Sequence, residues 1–153
     1  TPADTRFVQD MIAHHQQALG MVDLVPGRTA RDDIPVLAER IRVSQEDEIA
    51  RLETWLTDHG EDVPAPDAHE AHEGMPGMAT PEQLTLLRSS SGAAFDGLFL
   101  ELMIAHHQGA IEMVAQLYED GGGLEPMVDD LARDIEADQS IEIGRMQELL
   151  ESR

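Results

Sequence analysis

Apolar side chains return at intervals of three and four residues along four stretches of this chain. In the first, Phe7, Val8, Met11, Ile12, Ala18, Leu19, Val22 and Val25 share one face at the helical period, with His15 among them. The second comprises Leu37, Ala38, Ile41, Ile49, Leu52, Trp55 and Leu56, and its face also holds Gln45 and Glu48. Phe99, Leu100, Met103, Ile104, Ala110, Ile111 and Val114 form the third stripe around His107. Leu131, Ala132, Ile135, Ile143, Met146 and Leu150 form the fourth, around Gln139 and Glu142.

Breakers fall where these stripes end. Pro26 and Gly27 stop the first, and Pro35 suits the opening turn of the second. Gly121 to Gly123 and then Pro126 do the same between the third and fourth. Thr80 followed by Pro81 and Glu82 predicts a short helix running to "SSSG". The stretch "DVPAPDAHEAHEGMPGMA" has no apolar periodicity and reads as a flexible Pro/Gly-rich loop.

The third and fourth stripes copy the first and second. "DTRFVQDMIAHHQQALGMV" aligns with "DGLFLELMIAHHQGAIEMV", and "MIAHHQ" stands unchanged at Met11–Gln16 and Met103–Gln108. A helix that buries a single stripe is not stable alone. Four of them predict an all-α chain, an antiparallel four-helix bundle made of two repeated hairpins with pseudo-twofold symmetry. The expected organisation is one domain: repeat one over 1–58, a loop and short helix over 59–91, and repeat two over 92–153.

Composition adds exclusions. Three Phe, one Tyr and one Trp leave the core to Leu, Ile, Val, Ala and Met. Thirty-one acidic against ten basic residues give a formal charge of -21, a field that repels nucleic acid and anionic lipid and attracts cations. No cysteine is present, which excludes disulfides and thiolate sites. No apolar run reaches membrane-spanning length, so direct membrane insertion is not expected, and no signal segment is visible.

Neighbouring helix residues point about 100° apart, so the two histidines of each pair have different surroundings. His15 and His107 face the core. His14 and His106 lie at the edge of the apolar arc, His14 close in angle to Met21. A carboxyl inside an apolar arc needs a partner. The economical arrangement has His15 meeting Gln45 and Glu48, and His107 meeting Gln139 and Glu142. Two readings fit: a hydrogen-bonded network that fixes register, or an interior metal or acid–base site. The ferritin-type di-iron pattern needs Glu-x-x-His, and no histidine here has an acidic residue three positions before it.

Thioethers are poor ligands for hard ions and zinc but good ones for Cu(I) or Ag(I), and imidazole suits copper in both oxidation states. Met11 precedes His14 by one helical turn, with Met21 further along; Met103, His106 and Met113 repeat the set. Methionine is also ordinary core filler. In the loop, His69, His72, Met75 and Met78 recur every third residue, a composition that reads as metal binding.

These paired "MIAHHQ" blocks, together with "MPGMATPEQLTLLRSSSGAAFDGLFLELMIAHHQGAIEM" and "DQSIEIGRMQELL", resemble a bacterial family catalogued as domain of unknown function number three hundred and five. The resemblance covers nearly the whole chain. It implies a ferritin-like four-helix bundle that is exported or lipid-anchored outside the cytoplasm, and some members are linked to copper or silver tolerance. The family's shared positions are Met11, His14, His15, Met21, Met103, His106, His107 and Met113. Its Gln-x-x-Glu-Ile-x-x-Met element is complete at Gln139, Glu142, Ile143 and Met146, whereas Leu52 replaces that methionine in the first half.

The expected function is extracytoplasmic binding of copper, with silver or zinc as other candidate ions, for buffering, sequestration or transfer to a metal-accepting protein partner. The candidate ligands are Met11, His14, His15, Met21, Glu48, His69, His72, Met75, Met78, Met103, His106, His107, Met113 and Glu142. Two alternatives stay open: a metal-dependent redox enzyme using the interior His/Glu groups, and a structural or partner-binding module without metal. No nucleophile pairing, phosphate loop or dinucleotide fingerprint is present.

Overall fold

Among the described residues the chain forms five helices, one for each periodic stretch and a short one at Thr80: α1 (Pro2–Val22), α2 (Asp33–Asp58), α3 (Pro81–Arg88), α4 (Gly92–Glu119) and α5 (Pro126–Glu151). The computed structural model describes residues 1–68 and 74–152, and no strand occurs among them. α1 packs on α2 and α4, α5 packs on α4 and α2, and α3 rests on α4. The result is the antiparallel four-helix bundle that the stripes predict, with α3 as an addition on its side. No helix of the described residues is long and apolar enough to cross a membrane.

The ends form where the local chemistry directs. The Thr1 hydroxyl accepts from the Asp4 amide in a capping box, and Thr80 with Gln83 repeats the device at α3. Pro35 lies in the first turn of α2, and Pro126 is the first residue of α5. Gly27 and Gly121 take φ of 81° and 82° in the turns after α1 and α4. Asp4 does more than cap. Its side chain is fully buried and accepts from the Gly123 amide at 2.7 Å, tying the start of α1 to the α4–α5 turn.

Along the bundle axis the interior has three zones. One apolar cluster holds Met21, Ile34, Ile41, Phe95, Phe99, Met103 and Met146. The other holds Phe7, Met11, Leu52, Trp55, Met113, Leu117 and Ile135. On each long helix a pair of polar interior residues falls between these two sets. His14, His15, Gln45, Glu48, His106, His107, Gln139 and Glu142 are all buried and make a polar slab across the middle. A buried polar atom left unpaired costs about 1–3 kcal/mol. The chain therefore spends stability here, and the slab is where a functional reason is to be sought.

Candidate metal centre

The inward pair of histidines meets the carboxyls that periodicity assigned to it. His15 Nε2 lies 2.7 Å from Glu48 Oε1, and His107 Nε2 lies 2.6 Å from Glu142 Oε1. A carboxylate oxygen only accepts, so each Nε2 donates, and each Nδ1 is buried without a hydrogen-bond partner. The Ser44 hydroxyl donates to Glu142 Oε2 at 2.9 Å. Gln45 and Gln139 share the slab but do not bond the histidines, and Gln45 has no partner at either amide atom.

The Glu48 carboxyl also meets that of Asp138, a half-buried residue of α5. Two ionised carboxylates cannot bond each other, so this contact is a hydrogen bond only when one of them holds a proton. Burial pushes Glu48 up to about 7, and the hydrogen bond with Glu48 followed by burial pushes Asp138 up to about 7. The two carboxyls share one proton near neutral pH, a property of the pair.

The outer pair is placed differently from the sequence expectation. His14 and His106 are not at the edge of the bundle; they are 0% and 1% exposed. Their rings stack across the α1/α4 interface with centroids 3.8 Å apart and planes 28° apart. His14 Nε2 lies 2.8 Å from the carbonyl oxygen of Pro76, so it donates and leaves Nδ1 bare. His14 Nδ1 and both nitrogens of His106 are buried with no hydrogen-bond partner. Burial pulls His14 down to about 3 and His106 well below its ordinary value, so both rings are neutral at pH 7. A neutral imidazole with an unshared lone pair is the form that binds a metal ion.

The cover over His14 is the second difference. Residues 74–79 are not a loose loop but a strap docked across the groove between α1 and α4. The Gln17 side chain holds both backbone groups of Ala79, donating to its carbonyl at 3.0 Å and accepting from its amide at 2.8 Å. Gly77, at φ 73°, lies so close to α4 that a Cβ there would overlap the Ala105 carbonyl. Gly109 fits only because it too lacks a Cβ, which would overlap Pro76 O and sit 2.8 Å from Gly77 Cα. Met75 and Ala79 thereby find apolar surroundings that a solvated loop would not provide. Upstream, Gln9 and Gln16 of α1 donate to the carbonyls of Asp62 and Ala65, both at 2.9 Å.

The methionines flank the stacked rings. Met11 lies in one apolar cluster and Met103 in the other, each one turn before its histidine, and both are fully buried. Met21 is fully buried and Met113 is 8% exposed. Met146 joins Met21 and Met103 in one cluster. Met78 is half-buried in the strap. His69 and His72 lie outside the described residues. Among the described residues, no three His, Asp or Glu side chains are arranged to hold a metal ion, so an ion in the slab would draw on thioethers as well. Beside the strap, Phe7, Asp10, Met75, Pro76, Glu112 and Met113 line a cavity of about 370 Å³, with Arg6, Glu119 and Asp120 at its wall.

Sequence reasoning missed Gln17, Pro76, Gly109, Ser44 and Asp138. One signal for the strap was available: the repeats diverge immediately after "MIAHHQ", with Gln17 in one and Gly109 in the other. Both residues serve the strap, one by clasping it and one by making room.

The neutral histidines predict acid sensitivity. Unfolded, His14 and His15 take up protons below their ordinary 6.5, whereas folded they resist until about 3. Over that window the unfolded chain binds more protons, so their contribution to stability falls as pH falls. Glu48 acts oppositely: folded it takes its proton near 7, unfolded near 4.5, so it gains stability as pH falls between these values and nothing further below them. Asp138, raised to about 7 from 3.8, offsets them in the same way, so Tm is expected to drop most steeply between about pH 3.8 and 3, where the histidines act without either offset. His106→Gln should flatten the drop in a thermal scan against pH. An unchanged slope would place the acid sensitivity elsewhere.

Comparison with known proteins agrees with this architecture. A model of the family described as "Domain of unknown function (DUF305)" matches residues 4–150. A DUF305 fragment from Deinococcus radiodurans superposes with a TM-score of 0.89 at 33% identity, covering 100% of this chain and 98% of its own. A DUF305 protein from Streptomyces coelicolor, provisionally described as secreted, gives 0.85 at 31%, covering 98% and 93%. CopM in its Cu(II)-bound form gives 0.80 at 31%, covering 97% and 96%, and CopM is also known in Cu(I)-bound, Ag-bound and apo forms. No curated protein sequence matches the chain. With the family model spanning nearly every residue and the same bundle in its relatives, the chain belongs to the DUF305 family.

Proposed function

We propose that this protein binds monovalent copper, with silver as an equivalent ion, through ring nitrogens of His14 and His106 and the thioethers of Met11 and Met103. The ion is cargo, held for buffering, sequestration or transfer outside the cytoplasm. The observation that carries the reading is the set of three buried imidazole nitrogens on His14 and His106 that have no hydrogen-bond partner. Leaving them unpaired has no structural benefit, and two one-turn Met/His pairs supply the soft donors that Cu(I) and Ag(I) prefer. The Cu- and Ag-bound forms of CopM support the choice of ion. The lack of cysteine and the secreted description of the Streptomyces relative support the location. His15 with Glu48 and His107 with Glu142 are assigned to the network that fixes helix register, since each ring is bonded to a carboxyl on the other helix of its own hairpin.

Titration of metal-free protein against a competing Cu(I) chelator tests this, with Cu(II), Zn²⁺ and Ca²⁺ in parallel. Affinity is expected in the order Cu(I) above Zn²⁺ above Ca²⁺. The double variant His14→Phe, His106→Phe should lose Cu(I) affinity by roughly 100-fold or more while unfolding cooperatively. Equal affinity for Ca²⁺, or Cu(I) binding unchanged in the double variant, would reject the interior site.

A further inference from the structure

The cavity beside the strap is chemically unlike the slab. Its wall carries two thioethers, Met75 from the strap and Met113 from α4, with the carboxyls of Asp10 and Glu112 nearby. Met113 is nearly buried and Met75 is half-buried, yet both border a space of about 370 Å³ that opens to solvent. Glu119 and Asp120 add negative charge at the wall, against Arg6 as the cation there. Pro76 belongs to two places at once. It lines this cavity, and its carbonyl covers His14 Nε2 at 2.8 Å.

We propose that the cavity walled by Met75, Met113 and Asp10 is a separate outer site for a soft monovalent cation, from which the ion passes Pro76 to reach the interior imidazoles. The outer site stands on its own donors; the onward passage rests on the proposed interior site. Two neutral thioethers and one carboxylate together suit a +1 ion of high polarizability, and they suit Mg²⁺ or Ca²⁺ poorly. The acidic wall concentrates cations without itself being selective, so the methionines supply the selectivity. His14 and His106 have no solvent exposure of their own to speak of, so an ion reaching them must first displace part of their cover. The strap carries a soft donor of its own, Met75, which faces the cavity. Moving residue 76 moves Met75 with it, which keeps a ligand on the ion as the carbonyl leaves His14.

The test is an NMR titration of the full chain with Ag(I), following the methionine ε-methyl groups and the histidine ring nitrogens together. Met75 and Met113 methyls are expected to shift at the lowest Ag(I) ratios, ahead of the His14 and His106 rings. The double variant Met75→Leu, Met113→Leu keeps volume and apolar character. It should slow the approach of the ring shifts to their final values by about tenfold or more, a change of about 1.4 kcal/mol in the barrier. Met75 and Met113 methyls that stay in place at saturating Ag(I) overturn the outer site, as does a double variant that loads at the unchanged rate. Rings that never shift while both methyls do would reject the interior site and uphold the outer one.

Discussion

Replacing His15 with leucine should destabilise the protein by about 3 kcal/mol or more, the effect of leaving one member of a buried pair without the other. Glu48 is 1% exposed, and the 2.7 Å bond from His15 Nε2 is the hydrogen bond given to its Oε1. Without that donor the carboxyl has to stay protonated to remain inside, or draw water into the interface between α2 and α5. Either course costs free energy, and the first makes the cost grow with pH. Replacing both residues, His15→Leu with Glu48→Leu, should recover most of the loss, because well-packed apolar groups of similar size commonly match a buried hydrogen-bonded pair. Urea unfolding at pH 7 and pH 5 measures both. A single variant costing less than about 1 kcal/mol would mean that water already reaches Glu48.

Gly109→Ala should also destabilise, by roughly 1–3 kcal/mol, although alanine is the better helix former. Position 109 is in the interior of α4, where alanine would gain up to about 1 kcal/mol in an isolated helix. Here the added methyl overlaps Pro76 O and lies 2.8 Å from Gly77 Cα. Both obstacles are backbone atoms, so no side-chain rotation relieves them. The strap has to rise, taking Met75 out of its apolar contact and the Pro76 carbonyl off His14. Gly144→Ala is the matched control: it too lies inside a long helix, but no atom stands within 4 Å of its would-be Cβ. It should stabilise the chain by a few tenths to about 1 kcal/mol. Thermal unfolding of the two variants side by side, with hydrogen exchange at the Ala79 amide, checks both signs. A stabilising Gly109→Ala would show that the strap's contact with α4 contributes little.

The bundle was legible because it is written in a single periodicity, and because a repeated stripe constrains its own copy. His15 with Glu48 and His107 with Glu142 were legible for the same reason. A carboxyl and an imidazole inside facing apolar arcs have few other partners. The positions of His14 and His106 were not. A helical wheel gives each ring an angle but not the neighbour waiting at that angle, and here the neighbour is the same residue of the other repeat, stacked across the interface. The strap was hidden for another reason. Pro and Gly mark a segment as non-helical, but they do not say whether it floats or docks. Docking depends on a missing methyl at Gly109 and a side-chain amide at Gln17, neither of which stands out in a linear reading. Asp138 escaped notice because its place beside the apolar stripe of α5 resembles any solvated helix edge. The loop histidines, His69 and His72, lie outside the described residues, so their expected part in metal capture is a proposal for the same NMR titration to address.

Two identical hairpins brought together as separate molecules would have equivalent faces, each with one ring of the His14/His106 type turned to the same open groove. Joining them into one polypeptide requires a crossing, and a crossing can run along only one side. Here residues 62–65 follow α1, and 74–79 cut over to α4. Connectivity alone therefore gives a nearly symmetric object a front and a back. The two halves, however alike in their helices, are then free to diverge in what each admits from solution.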